Sequence, residues 1–192
     1  MSEDPQESLD LFDDHEEVVS EDGKKVTRRG IYLLPNLLTT ASLFSGFFSI
    51  ISAINGNFIA SGMALFAAQM LDGLDGRVAR LTNSQSLFGA QYDSLCDVIS
   101  FGLAPAIIVF LWGLDSMGQA GWVFSFLYVA AAALRLARFN TYIGSEDTYF
   151  KGLPSPVASG MVVYFVWAMS SYGIQGEQVG AILATFTAIL TG

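Results

Sequence analysis

The chain has 192 residues, enough for one soluble domain, but its composition points away from a soluble protein. Hydrophobic residues make up 52% of the chain, charged residues make up 14%, and the mean hydropathy is +0.47. This balance is typical of membrane proteins. The net charge of −9 gives no basic surface for a nucleic acid, and one cysteine, Cys96, cannot form an intrachain disulfide. We expect Cys96 to pack between helices.

The charged residues are concentrated at the N-terminus. Residues 1–29 hold ten acidic and four basic residues and therefore supply most of the net charge. A segment this rich in charge and this poor in aromatic residues is typical of disorder. We therefore predict a disordered cytoplasmic tail over residues 1–29 and a transmembrane domain over residues 30–192.

Long uncharged apolar runs dominate the rest of the chain. About 20 apolar residues are needed for a helix to cross a bilayer, and several runs reach that length. The fold class predicted is an all-α, six-helix transmembrane bundle. Because the chain ends inside an apolar run, we expect its last helix to be cut short. The predicted spans are residues 31–54, 57–76, 86–114, 119–140, 154–173 and 177–192.

The basic residues fall on alternate connections between these spans. Cytoplasmic loops of membrane proteins carry an excess of Lys and Arg. This pattern places the N-terminus, the 2–3 loop and the 4–5 loop on the cytoplasmic side of a multi-pass cell-membrane protein. The nine basic residues are Lys24, Lys25, Arg28 and Arg29 before helix 1, Arg77 and Arg80 after helix 2, and Arg135, Arg138 and Lys151 after helix 4.

Small residues recur within the predicted helices. In membranes they allow two helix backbones to approach closely, and faces of this kind also favour a homodimer. The glycines expected at such contacts are Gly46, Gly56, Gly62, Gly89 and Gly102.

Two pairs of aspartates flank the predicted 2–3 loop. Asp72 and Asp75 are three residues apart, and Asp93 and Asp97 are four apart, so each pair occupies one face of its helix. Four carboxylates at membrane depth would repel one another unless cations neutralise them. Oxygen ligands suit Mg²⁺ or Mn²⁺ rather than zinc, and four carboxylates are enough for two ions.

Two other interpretations of the aspartates remain open from their spacing. The carboxylates could pair with arginines as buried ion pairs, or they could form a cation or proton pathway in a transporter.

The aspartates belong to a longer pattern that identifies a family. The pattern resembles, without a mismatch, the signature of the CDP-alcohol phosphatidyltransferase family, and the resemblance covers roughly residues 31–192. In this sequence it reads Asp72-x2-Asp75-Gly76-x2-Ala79-Arg80-x8-Gly89-x3-Asp93-x3-Asp97.

The resemblance implies a role for each aspartate. Asp72, Asp75 and Asp93 would be metal ligands. Asp97 would contact a second metal ion and act as the catalytic base that deprotonates the acceptor hydroxyl.

The resemblance also implies contacts to the CDP part of a lipid donor. These would come from Gly76 and Arg80, with Ser86 in the 2–3 loop and Asn36 at the start of helix 1 as further candidates. Glycine permits close approach of the backbone to a ligand, and the arginine guanidinium can donate two parallel hydrogen bonds to a pyrophosphate.

Two further segments, residues 134–140 and 150–158, resemble the membrane-embedded family members that use serine as the acceptor. The resemblance implies transfer of a phosphatidyl group from CDP-diacylglycerol to serine. Glycerol phosphate or inositol phosphate remains an alternative acceptor, and the basic residues have an alternative role as topology determinants. Candidate acceptor-binding residues are Arg135, Arg138, Asn140 and Lys151.

Overall fold

The structure, a computed structural model, describes residues 19–21, 24–26, 33–82, 87–141, 155–174, 176 and 185. Five helical segments account for most of these residues, as the predicted all-α class requires. Two short strands, β1 (Val19–Glu21) and β2 (Lys24–Val26), pair antiparallel within the N-terminal tail. The helices are α1 (Leu33–Ile54), α2 (Phe58–Leu81), α3 (residues 87–117), α4 (Gln119–Thr141) and α5 (Ser155–Ser171).

Helices α1 and α2 form an antiparallel hairpin and pack along most of their lengths. The turn between them depends on Gly56, whose φ of 73° lies in the left-handed region that favours glycine. The side chain of Asn57 then caps α2 by accepting a hydrogen bond from the Ala60 amide at 3.0 Å.

A row of hydroxyl side chains on α1 joins it to α2. This hydroxyl seam consists of Thr39, Ser42, Ser45 and Ser49, which recur every three or four residues and so share one helix face. Three of them donate to backbone carbonyls of α2, and the fourth reaches a side chain described below. The carbonyl bonds are Ser42 Oγ to Ala68 at 2.9 Å, Ser45 Oγ to Ala64 at 2.7 Å and Ser49 Oγ to Ser61 at 2.7 Å.

Helix α3 is irregular, which the sequence analysis did not predict. An α-helical start is followed by π-helical, α-helical, π-helical and 3₁₀ turns. Pro105 lies just after the first π-helical segment, Val98–Leu103. A proline cannot donate to the carbonyl four residues earlier, here Phe101, and that carbonyl accepts a bond from Tyr128 of α4 at 3.3 Å. The widened turn and this bond together accommodate the proline.

Helix α5 packs against α2 through a polar cluster and a small residue. Gln69 donates to Ser159 Oγ at 3.2 Å and accepts a hydrogen bond from Tyr164. At Gly62, an added Cβ would lie 2.9 Å from the Cβ of Trp167, so the helices approach too closely for a larger residue. These contacts fix α5 beside the half of α2 that precedes the aspartates.

The other predicted glycine contacts differ from one another. Gly46 does mark a close approach, because an added Cβ would lie 2.5 Å from Ser100 Oγ of α3. Gly102 has only an ordinary contact, 3.4 Å from Ala132 Cβ. The prediction for Gly56 was wrong, since this glycine forms a turn and an added Cβ would meet none of the described residues within 4 Å. The prediction for Gly89 stays a prediction.

Three of the described helices are long and apolar enough to cross a membrane, as expected of a membrane protein. These are Leu34–Ile54, Phe88–Met117 and Gln119–Arg138. By comparison, α2 carries four charged residues in its second half and α5 has 17 residues. The described residues thus form five helices, which correspond to the first five predicted spans. Most of the sixth predicted span lies outside the described residues, so the sixth helix stays a prediction.

The predicted end of α2 changes. Helix α2 continues to Leu81, so Arg77 and Arg80 lie on its last turns and not after it. The reason is that residues 77–81 contain good helix formers and no proline, and helix propensity carries the helix beyond its apolar part. Arg135 and Arg138 were expected after helix 4 but lie within α4, whose end at Thr141 agrees with the predicted span 119–140. The extent and disorder of the tail stay predictions, although six of its residues form β1 and β2.

Candidate metal centre

Three of the four predicted aspartates converge at one point. Asp72 and Asp75 come from α2, and Asp93 comes from α3. Each offers a carboxylate oxygen, and the three oxygens lie within 4.8 Å of one another. Their i, i+3 spacing places Asp72 and Asp75 on one face of α2, and helix packing brings the α3 carboxylate to that face.

Asp75 is the most buried of the three, with 5% of its surface exposed. Its Oδ2 atom accepts a hydrogen bond from Thr39 Oγ1 of α1 at 2.7 Å. The backbone amide of Gly76 donates a further hydrogen bond to the same carboxylate. Asp75 therefore has a fixed orientation in a part of the protein where an unpaired carboxylate would be costly.

Asp97 lies beside the three-carboxylate cluster but is not one of its members. Its carboxyl group lies next to that of Asp72, close enough for the two groups to share one proton. Asp97 is the last residue of the first α-helical part of α3, and the π-helical segment begins at the next residue. π-helical turns inside α-helices occur frequently at functional sites.

The donor atoms of the cluster fit a divalent cation. One oxygen of Asp93, Oδ1, is buried and has no hydrogen-bond partner among the described residues. A buried carboxylate oxygen without a partner requires an explanation, and a bound cation supplies one. The three-residue ligand group contains only carboxylates, which suit hard ions such as Mg²⁺ and Mn²⁺.

The predicted ion-pair alternative receives no support from the arginines of α2. Arg77 and Arg80 are both exposed. Arg80 Nε donates to the Gly76 carbonyl of its own helix at 2.9 Å. Their position on the last turns of α2 leaves the guanidinium groups at the edge of the site.

Three of the residues predicted to contact the CDP group, Gly76, Arg80 and Asn36, are among the described residues. Gly76 is exposed, and an added Cβ would meet none of the described residues within 4 Å. Asn36 lies on the first turn of α1, and its carbonyl accepts a hydrogen bond from Thr40 at 2.7 Å. Ser86 lies outside the described residues.

The predicted acceptor residues are divided between two places. Asn140 Oδ1 accepts a hydrogen bond from Ser94 Oγ at 3.1 Å, which brings the end of α4 beside the residue that follows Asp93. Arg135 lines a crevice between α4 and α5 with Tyr128 and Ser155. Arg138 is exposed in the last turn of α4, and Lys151 lies outside the described residues.

Comparison with known proteins decides the family. Residues 32–191 match the family model of the CDP-alcohol phosphatidyltransferases. The chain belongs to the CDP-alcohol phosphatidyltransferase family. The family resemblance inferred from the aspartate pattern is thereby confirmed, and the transporter alternative loses its basis.

Relatives within the CDP-alcohol phosphatidyltransferase family carry closely related names. The chain is 41% identical over 161 residues to the CDP-diacylglycerol–serine O-phosphatidyltransferase of Helicobacter pylori, covering 83% of this chain and 68% of that one. It is 36% identical over 159 residues to the Mycobacterium tuberculosis protein of the same name, covering 79% and 55%. It is 39% identical over 144 residues to the archaetidylserine synthase of Methanothermobacter thermautotrophicus, covering 74% and 60%. The chain thus spans about two thirds or less of these relatives.

Sequence reasoning missed several residues of this phosphatidyltransferase site. Thr39 contacts a candidate metal ligand, and Ser94 contacts Asn140. Thr40 Oγ1 also lies 2.9 Å from the hydroxyl of Tyr92, a bond that joins α1 to α3 beside Asp93. The sequence offered one weak indication that Thr39 and Thr40 face the site: they follow the predicted CDP contact Asn36 by about one helical turn. Such a signal is weak because hydroxyl residues are frequent in membrane helices.

Proposed function

We propose that the chain transfers a phosphatidyl group from CDP-diacylglycerol to L-serine, which yields phosphatidylserine and CMP. The observation that carries this proposal is the convergence of the Asp72, Asp75 and Asp93 carboxylates within 4.8 Å. The names of the relatives support serine as the acceptor.

Asp72, Asp75 and Asp93 would hold a divalent ion, Mg²⁺ or Mn²⁺, and Asp97 would complete a site for a second ion. Such ions would neutralise charge on the pyrophosphate and stabilise the departing CMP oxygen. The carboxylates also position the phosphorus of the donor against the acceptor, which lowers the entropic part of the barrier.

Asp97 is the catalytic base of this reaction. Its carboxylate takes the proton of the serine hydroxyl as the serine oxygen bonds to the lipid-side phosphorus, and the bond from that phosphorus to the CMP oxygen breaks. The location of Asp97 beside Asp72 supports this role, because a base must lie within hydrogen-bonding reach of the proton that it removes.

The open backbone at Gly76 gives the pyrophosphate room to approach, and Arg80 at the end of α2 binds its oxygens. Asn36 and Ser86 complete the CDP contacts. We place the acceptor between Asn140 and Arg135, with Arg138 and Lys151 supplying further positive charge for the serine carboxylate.

The protein acts as a homodimer in the cytoplasmic membrane, with its N-terminus and site on the cytoplasmic side. The alternating positions of the basic residues support this orientation. A cytoplasmic site is also where serine and the CDP group are accessible.

The experiment is an acceptor panel with purified full-length protein in detergent micelles containing CDP-diacylglycerol. Radiolabelled serine, glycerol phosphate and inositol phosphate are supplied separately, with and without EDTA, and labelled lipid and CMP are measured. We expect incorporation of serine, equimolar CMP, and loss of both with EDTA that excess Mn²⁺ or Mg²⁺ reverses. Incorporation of another acceptor in place of serine would contradict the proposal.

A further inference from the structure

The hydroxyl seam between α1 and α2 ends at the metal centre. Three of its members, Ser42, Ser45 and Ser49, donate to backbone carbonyls of α2. The fourth, Thr39, is 5% exposed, and its hydroxyl lies 2.7 Å from Asp75 Oδ2 and 3.1 Å from the Pro35 carbonyl of its own helix, so the shorter distance favours donation to Asp75. The seam thus places one hydroxyl against a carboxylate of the three-aspartate cluster.

This hydrogen bond affects the two oxygens of Asp75 differently. Oδ2 is engaged by Thr39, and the carboxylate is held further by the Gly76 amide. Thr39 is buried in the α1–α2 interface, and the Asp75 oxygen is the nearer of its two acceptors, at 2.7 Å against 3.1 Å for the Pro35 carbonyl. This arrangement leaves the other oxygen of Asp75, Oδ1, as the one that a cation would bind.

Ligation through one oxygen favours some cations over others. Mg²⁺ and Mn²⁺ prefer six ligands in an octahedron, and a carboxylate fills one position of the octahedron with one of its oxygens. Ca²⁺ accepts six to eight ligands in flexible geometry and often binds both oxygens of a carboxylate. A donor that engages one oxygen of Asp75 thus disfavours the larger ion.

We propose that Thr39 is a positioning residue that restricts Asp75 to one-oxygen ligation and so makes the site select Mg²⁺ and Mn²⁺ over Ca²⁺. The inference rests on the metal site of the proposed function. It does not depend on which alcohol is the acceptor.

The test is a binding measurement on full-length protein in detergent micelles. Mn²⁺ binding is followed by electron paramagnetic resonance, and Ca²⁺ is added as a competitor to obtain the ratio of the two dissociation constants. For Thr39→Val, which keeps the shape of the side chain but removes the hydroxyl, we expect weaker Mn²⁺ binding and a shift of the ratio towards Ca²⁺ by about tenfold.

Two matched variants separate positioning from packing. Thr39→Ser keeps the hydroxyl and should retain the wild-type ratio. Ser42→Ala removes a buried hydroxyl of the same seam that donates to the Ala68 carbonyl and not to a carboxylate of the cluster, so it should lower stability and leave the ratio unchanged. If Thr39→Val does not fold, Thr39→Ala provides the same comparison with a smaller side chain.

An unchanged ratio in the folded variant without the hydroxyl would overturn the proposal. So would an equal shift in Ser42→Ala, because the effect would then come from helix packing. Wild-type protein that binds no Mn²⁺ would refute both this inference and the proposed metal site. Protein that binds Mn²⁺ but incorporates no serine would refute only the proposed reaction, and the ratio would still decide the role of Thr39.

Discussion

At the scale of single residues, the environments of the aspartates separate their roles. Asp75 is nearly buried and held by two hydrogen bonds, whereas Asp93 keeps a buried oxygen without a partner among the described residues. Asp97 lies outside the three-oxygen cluster and contacts it through Asp72. We propose that Asp97, which lies beside the cluster and next to Asp72, exchanges the proton with the acceptor.

Asp97→Asn should separate catalysis from metal binding. Asparagine has almost the same shape but cannot accept the hydroxyl proton, so we expect turnover to fall by about 10²–10⁴-fold. Mn²⁺ binding to the other three aspartates should persist in an electron paramagnetic resonance titration. CMP release in the presence of serine gives the turnover, and near wild-type release by the folded variant would rule out Asp97 as the base.

At the scale of helices, the position of α3 depends on a close contact with α1. Gly46 lies against Ser100, which belongs to the π-helical segment immediately after Asp97. A larger residue at position 46 would push α3 away from α1. Since α3 carries Asp93 and Asp97, the same displacement would open the carboxylate cluster.

Gly46→Ala should therefore destabilise the protein. The added Cβ would lie 2.5 Å from Ser100 Oγ and 2.9 Å from Ser100 Cβ, and overpacking of this kind costs about 1–3 kcal/mol. Unfolding in mixed micelles, followed by circular dichroism, measures the loss.

Gly73→Ala is the matched control, because Gly73 is an exposed helix residue with no neighbour within 4 Å of an added Cβ. It should be neutral or stabilising by less than about 1 kcal/mol. Equal stability losses in the two variants would contradict the proposed role of the α1–α3 contact.

At the scale of the whole molecule, the open question is how the bundle lies in the membrane. The three long apolar helices expose many large side chains, as expected of surfaces that face lipid. Their apolar surfaces do not specify which end faces the cytoplasm. The basic residues in the tail and near the helix ends predict the orientation, through the positive-inside rule.

Cysteine labelling tests this orientation. In a Cys96→Ala background, single cysteines replace exposed residues at three helix ends, Asn55, Thr82 and Ser116. With a membrane-impermeant maleimide on intact cells, we expect labelling at positions 55 and 116. Position 82 should react only after permeabilisation, because the proposed orientation places the 2–3 loop in the cytoplasm. The reverse pattern would invert the proposed topology and move the site to the outer face.

Much of the fold followed from the sequence because its signals are local. The length of an uncharged run determines whether a helix can cross a bilayer, and the helix bounds near Ile54 and Phe58 agree with the predicted spans. The end of α2 was misplaced because helix propensity extends beyond the apolar run, through Arg77 and Arg80. The irregular turns of α3 were missed because the sequence does not show which group satisfies the Phe101 carbonyl near Pro105, and that group, the Tyr128 hydroxyl, comes from another helix.

The amino-acid sequence by itself determined the membrane class, the family and the aspartates at issue, because composition, run length and i, i+3 or i, i+4 spacing are properties of contiguous residues. Only the tertiary structure decided which carboxylates meet. It grouped Asp72, Asp75 and Asp93, left Asp97 at their side, and added Thr39 from α1. These relations depend on the packing of α1 against α2 and α3, and packing between separate helices is not encoded in the spacing within any one of them.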